Sequence, residues 1–174
     1  MDADYLLIRQ MKQGDEDSFD AFVRKYYKDI LNYCIYHYPD REYAQDITQE
    51  VFVRFFSSLS KYHFIGKTKN YLYTIARNLC KDYLKKMREI PVDEWEAYGG
   101  AEQNENHIEG ILDKIFLEKA LKGLSEEMRE VIVLYYFQEL KLTEIADILH
   151  IGLPLVKYRL RKAKMQLRNC KEII

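Results

Sequence analysis

The sequence predicts an all-α protein: two small helical domains joined by an acidic flexible linker, the second containing a helix-turn-helix. Three observations lead there. Apolar residues recur at spacings of three and four on both sides of residues 89 to 110, while alternating strand patterns and Asn-Gly hairpin turns are absent. Charge divides the chain at the same place: residues 1 to 88 and 111 to 174 each carry a net charge of +3, and the strip between them holds seven acids and no Lys or Arg. That strip also carries Pro91, the Gly99-Gly100 pair, Asn104 and Asn106, and shows no sustained apolar period. The expected organisation is a first domain over 1–88, a linker over 89–110 and a second domain over 111–174.

In the first domain, Asp40 follows Pro39 and is the expected N-cap of a helix running to about Ser60. Ala44, Ile47, Val51, Phe55 and Leu59 share the inner face of that helix. Asp46, Gln49, Glu50 and Val53 fall on the opposite face, which suits docking against a partner's basic helix and is more simply read as a solvated surface. A second helix, from about Asn70 to Met87, buries Leu72, Ile75, Ala76, Leu79 and Tyr83 and turns Arg77, Lys81, Lys85 and Arg88 outward. In the second domain one helix ends near Gly123, and Ser125 caps the next, which reaches about Phe137 with Glu126 and Glu127 in its first turn. A short helix from Thr143 to Leu149, a turn through His150, Ile151 and Gly152, and a long helix opened by Pro154 make the helix-turn-helix.

Composition narrows the function classes. The 174 residues are 32% charged and 48% apolar, as in ordinary globular chains. The longest apolar run, Val131 to Phe137, is far shorter than the roughly 20 residues of a membrane helix. The amino terminus is acidic where a secretory signal is basic, so a cytoplasmic location is expected. Cys34, Cys80 and Cys170 are odd in number and form no Cys-x-x-Cys pair, which argues against a disulfide framework and a zinc site. His37, His63, His107 and His150 lack metal-ligand spacing, and nucleophile-elbow, Walker, His-Glu-x-x-His and dinucleotide motifs are missing. No enzymatic activity, metal or cofactor is expected.

Two basic stretches suit nucleic acid. Residues 154 to 171 hold seven cations and no acid around a buried stripe of Val156, Leu160, Ala163 and Leu167. Tyr158, Arg161 and Lys162 point away from the stripe toward base edges, and Lys157, Arg159, Lys164 and Arg168 flank it, where phosphates would lie. The plainer alternative is a solvated terminal helix whose cations suit its dipole. From Arg54 to Arg88 there are nine cations against one acid, Asp82, interleaved with Phe55, Phe56, Tyr62, His63, Phe64, Tyr71, Tyr73 and Tyr83. Cations track phosphates and flat rings take unstacked bases, although the same rings also serve as core. Gly66 allows close backbone approach in the connector from Phe64 to Lys69.

Motif order and spacing resemble those of the extracytoplasmic-function (ECF) group of bacterial sigma factors, over nearly the whole chain. Residues 12 to 19 (Lys-Gln-Gly-Asp-Glu-Asp-Ser-Phe) look like the start of that family's first domain. Residues 46 to 52 (Asp-Ile-Thr-Gln-Glu-Val-Phe) resemble its segment for the clamp helices of the largest polymerase subunit. Phe64 to Asn78 resembles the segment that opens the −10 element and captures a flipped base, and Leu124 to Leu167 the domain that reads the −35 element.

The resemblance implies a non-catalytic, dissociable initiation subunit that binds core RNA polymerase through Asp46, Gln49, Glu50 and Val53. It implies single-stranded −10 contacts at Lys61, Phe64, Lys67, Lys69, Tyr71, Arg77, Asn78, Lys81 and Lys85. Duplex −35 contacts fall at Lys157, Tyr158, Arg159, Arg161, Lys162, Lys164 and Arg168. It further implies an anti-sigma partner and a linker whose acids mimic nucleic acid in the RNA exit channel. The chain departs from the family at Pro154-Leu155-Val156-Lys157-Tyr158-Arg159, where Gly-Thr-Val-Lys-Ser-Arg is usual, at Tyr71, where Trp is frequent, and at His150, where Gly is usual. His is among the residues that tolerate the left-handed backbone expected there. The competing readings are a free-standing helix-turn-helix regulator, which predicts dimeric binding to paired half-sites, and an adaptor that makes protein contacts alone.

Overall fold

Asp40 caps its helix as expected. Its carboxylate accepts the backbone N–H groups of Glu42 (2.9 Å) and Tyr43 (3.3 Å), two of the donors that a helix start leaves without partners. The computed structural model describes residues 3–38, 40–88, 121 and 123–171, and the regular structure among them is helical. These residues fall into two units, one on each side of the predicted linker. The linker over 89–110 and, apart from Leu121, the helix expected before Gly123 lie outside the described residues.

The first unit is built from α1 (Ala3–Lys12), α2 (Glu16–His37), α3 (Arg41–Ser57) and α4 (Thr68–Arg88). Helices α2, α3 and α4 pack on one another, and α1 lies against α2. Phe22, Ile30 and Tyr33 of α2 meet Ile47, Val51 and Phe55 of α3 and Leu72, Tyr73 and Leu79 of α4 in a core closed to solvent. Each such side chain contributes about 1.5–3 kcal/mol when buried. At the centre the rings of Phe22 and Phe55 stack, 4.7 Å apart and 10° from parallel.

All five residues of the stripe predicted for α3 are buried, but the helix stops at Ser57, short of Ser60. The N–H of Ser58 reaches both the Arg54 and Phe55 carbonyls, and its hydroxyl also donates to Phe55 O at 2.8 Å, which tightens the last turn and ends the helix. Helix α4 starts at Thr68, two residues before the predicted Asn70, and buries Leu72, Ala76 and Leu79, with Ile75 and Tyr83 half-buried.

Polar groups inside this unit are tied to named partners. Tyr38 donates its hydroxyl to the Cys80 carbonyl at 2.6 Å, and burial pushes the phenols of Tyr38 and Tyr73 well above their ordinary value. Cys34 and Cys80 meet between α2 and α4, and their hydrogen bond holds the Cys34 thiol below its ordinary value against the opposing effect of burial. Helix α1 is fastened by Asp4, which accepts from Lys25 Nζ at 2.5 Å and from the Tyr26 hydroxyl, and by buried Ile8 and Met11.

The second unit contains α5 (Glu126–Ile132), α6 (Leu142–Leu149) and α7 (Leu153–Lys171). Ser125 Oγ accepts the Met128 N–H at 3.4 Å, as its N-cap role predicts. The single helix expected through Phe137 instead widens at Val133–Phe137 into a π-helical turn. Its i→i−5 hydrogen bond, Gln138 N–H to Val133 O, accommodates an extra residue; Val133 and Leu134 are buried, Tyr136 is turned out, and beyond the turn Leu140 is buried with its N–H on Leu134 O. Helix α6 begins with Glu144 accepting the Lys141 N–H at 2.8 Å and packs with α5 on α7. Val131, Leu134, Ile145, Ile148, Val156 and Ala163 form the core.

Replacing Phe22 by Ala removes one half of the central stack and leaves a cavity among three helices. The expected cost is about 3–5 kcal/mol of stability, read from urea unfolding. A loss below about 1 kcal/mol would mean that the core closes without this ring.

Candidate nucleic-acid and partner interfaces

Helix α3 turns Asp46, Gln49 and Val53 to solvent, and Val53 is 55% exposed, an apolar spot in a polar face. Glu50 is half-buried and holds Arg54 (Nε to Oε1, 2.8 Å), so its carboxylate is engaged along the helix. The four residues share one side of α3, opposite the core, as their spacing predicts.

The connector between α3 and α4 projects from the same unit. Gly66 takes a left-handed φ of 75°, with no atom near the position a Cβ would occupy. Lys61 and Lys67 are exposed beside it, and Ile65 is 74% exposed. Phe64 is half-buried, its ring 5.8 Å from that of Tyr5 in α1. Lys12 of α1 donates to the Tyr62 carbonyl at 2.6 Å, pinning the start of this loop. Tyr62 stacks on Tyr71 (5.2 Å, 26°), and Phe55 lies against both rings. Tyr71 is therefore a half-buried member of an aromatic ladder that runs from the core to the loop.

Along α4, Asn78 and Lys85 are exposed and Arg77 and Lys81 half-buried. Lys69 bridges to Asp29 of α2 at 3.0 Å and lies 5.9 Å from the Tyr73 ring centre, so part of its charge is engaged inside the unit. The side-chain nitrogens Asn70 Nδ2 and Arg77 Nε are buried with no hydrogen-bond partner, on one face of α4 at a spacing of seven. Sequence reasoning did not single out Tyr5, Ile65 or Asn70. Tyr5 and Phe64 are far apart in the chain, and no local pattern marks either Tyr5 or a buried Asn.

In the second unit His150 ends α6 in the left-handed conformation, φ 54° and ψ 44°, and the Ile151 N–H returns to the Ala146 carbonyl at 3.1 Å. This turn launches α7, which buries Val156, Leu160 and Ala163. Lys157, Tyr158, Arg161, Lys162, Lys164 and Arg168 face solvent, and Arg159 is half-buried. Lys162 lies 5.7 Å from the Tyr158 ring centre, and Lys164 lies 5.5 and 5.3 Å from those of Tyr135 and Tyr136. A hydrogen bond to Tyr136 holds the Lys164 ammonium above its ordinary pKa. Among the described residues no cluster of metal-ligating side chains occurs, and no helix is long and apolar enough to cross a membrane.

Residues 22–89 match the family described as Sigma-70 region 2, and residues 120–169 match Sigma-70, region 4. The ECF RNA polymerase sigma factor SigW of Bacillus subtilis is 30% identical over 93% of both chains. This chain belongs to the ECF family of RNA polymerase sigma factors. The RNA polymerase sigma factor YlaC of the same organism is 29% identical, covering 88% of this chain and 91% of its own. Two solved structures share its fold. CnrH, in complex with the cytosolic domain of CnrY, has a TM-score of 0.76 at 19% identity, with 99% of each chain covered. The sigma factor RpoE, in complex with the anti-sigma factor NepR from Bartonella quintana, has a TM-score of 0.73 at 21% identity, covering 89% of this chain and 97% of its own. As an ECF sigma factor the chain is an initiation subunit that directs RNA polymerase to promoters. A free-standing helix-turn-helix regulator would have no reason to carry region 2.

The left-handed backbone at residue 150 carries strain in His that Gly relieves. His150→Gly is expected to raise stability by about 0.5–1 kcal/mol, and His150→Val to lower it by about 1–3 kcal/mol. Thermal unfolding of the full chain measures both, and equal midpoints for the two variants would contradict the strain argument.

Proposed function

We propose that the first unit, over 1–88, acts as sigma region 2, gripping core RNA polymerase and melting the −10 element, and that the second, over 111–174, holds the −35 duplex. The observation that carries this reading is the juxtaposition in one unit of a polar α3 face with an exposed apolar centre and a loop bearing cations and aromatic rings. Protein docking favours the first arrangement, an exposed apolar spot ringed by polar groups that a partner desolvates on binding. Single strands favour the second, a positive track with flat rings.

In the melted state Phe64 and the Gly66 turn receive an unpaired base, while Lys61, Lys67, Lys81 and Lys85 neutralise phosphates and Arg77 and Asn78 supply donors. Lys69 and Tyr71 act mainly by supporting the loop, since one is bridged to Asp29 and the other lies in the aromatic ladder. In the second unit Arg161 and Lys162 take base edges and Lys157, Arg159 and Arg168 phosphates. Tyr158 and Lys164 add shape and charge beside them, with Tyr158 where a small hydroxyl is usual in the family. Bond chemistry stays with the core enzyme, and the protein works in the cytoplasm. An anti-sigma factor covering these faces is the expected inhibitor, on the analogy of the RpoE–NepR complex.

Co-elution of the purified chain with core polymerase on a sizing column, without DNA, is the direct test. Stable binding is expected, and Asp46→Ala with Gln49→Ala weakens it by about 1 kcal/mol or more. A folded chain that fails to bind core would remove the reading.

For DNA, Arg161→Ala costs about 1–3 kcal/mol of promoter discrimination in holoenzyme. A loss equal across all sequences would assign Arg161 to phosphate. Phe64→Ala impairs opening of duplex promoters more than of pre-melted ones, and equal open-complex yields on the two templates would sink its melting role.

A further inference from the structure

The loop that ends in Phe64 and Gly66 does not stand alone, because α1 lies beside it. Lys12 donates to the Tyr62 carbonyl at 2.6 Å, and the Tyr5 ring lies 5.8 Å from that of Phe64, tilted by 59°. Tyr5 remains 42% exposed, so more than this contact is on offer from its ring. Arg9 follows it at i+4 and is also exposed, which puts a cation on the same face of the helix. The acid next to Tyr5 is already committed: Asp4 is occupied by Lys25 and Tyr26 on the side facing α2.

We propose that Tyr5 and Arg9 form a second stacking site for single-stranded DNA, adjoining the Phe64 loop and taking a neighbouring unpaired nucleotide. The proposal rests on the reading of the first unit as the melting domain. Two rings 5.8 Å apart are separated by less than two stacked-base rises of about 3.4 Å each, so one strand reaches both. The occupant is nucleic acid because the patch is cationic as well as aromatic: Arg9 shares the face of Tyr5, Lys61 and Lys67 lie three residues on either side of Phe64 in the chain, and all three are exposed. A base needs only the π-face of Tyr5, and its phosphate the guanidinium of Arg9. The strongly exposed Ile65 lies next to Phe64 and offers an apolar edge to a base entering the site.

The test uses holoenzyme reconstituted from the full chain and core polymerase, with fork-junction DNA built on a promoter mapped from transcript 5′ ends. 2-Aminopurine is placed at successive non-template positions through and beside the −10 element. Wild-type holoenzyme is expected to quench one position through Phe64 and a second, adjacent one through Tyr5. Tyr5→Phe keeps both. Tyr5→Leu preserves bulk against Phe64, loses the second signal alone, and weakens fork binding about tenfold, the typical worth of one stacked base. Arg9→Gln lowers the slope of log affinity against log salt by about one.

Wild-type quenching that survives Tyr5→Leu at every position overturns the site. Loss at all positions together also overturns it, since Tyr5 would then only support the loop. The same holds if Tyr5→Leu weakens core binding instead, because a protein surface would then be the occupant. A wild-type holoenzyme that binds core but quenches no position removes the melting reading itself and the second site with it.

Discussion

The stack of Phe22 on Phe55 is the contact on which the first unit depends. It joins α2 to α3 through two flat rings at 4.7 Å, and the same Phe55 is in contact with Tyr62 and Tyr71 beyond it. The core and the loop between α3 and α4 are thus one continuous aromatic assembly. For the melting role proposed above a rigid base matters, since any freedom lost on binding is subtracted from a stacking energy of only about 1–3 kcal/mol per base. Tyr62 and Tyr71, packed against each other, restrict that freedom within the unit itself.

The second unit solves the corresponding problem with cations set over rings. Lys164 sits over both Tyr135 and Tyr136, and Lys162 over Tyr158. Each contact is modest, about 0.5–1 kcal/mol at exposed sites, but together they orient long side chains that would otherwise sample many rotamers. The π-helical turn at Val133–Phe137 is what brings Tyr136 outward to meet α7. A regular helix through the same residues would rotate that ring to another face.

Much of this was legible in the sequence. The stripes of α3 and α7, the caps at Asp40 and Ser125 and the left-handed turn at His150 follow from local rules, and local rules are what a sequence displays. The outward α3 face and the exposed cations of α7 were legible for the same reason. What escaped was non-local or bought by packing. Helices α1 and α2 are both absent from the sequence-based expectation, and the contacts of α1 with the loop join residues that are distant in the chain. Lys69 is expected at −10 DNA, and its ion pair escapes sequence reading because Asp29 lies forty residues earlier on another helix. The π-helical turn has no periodic signature, since one inserted residue merely shifts a helical pattern.

Helix α1 and the loop carry a consequence for how the chain is made. The Lys12–Tyr62 hydrogen bond spans fifty residues, so its acceptor is synthesised roughly 2 to 10 s after its donor at ordinary ribosomal speeds. During that interval the apolar side of α1, with Ile8 and Met11, rests on its neighbours without the hydrogen bond to the loop. The helix-turn-helix, by contrast, closes its contacts over a few tens of residues and needs no such wait. The loop that carries Phe64 and Gly66 is therefore tied to α1 only after all of α1, α2 and α3 has been synthesised, and until then that end of α1 stays open to a helper or a protease.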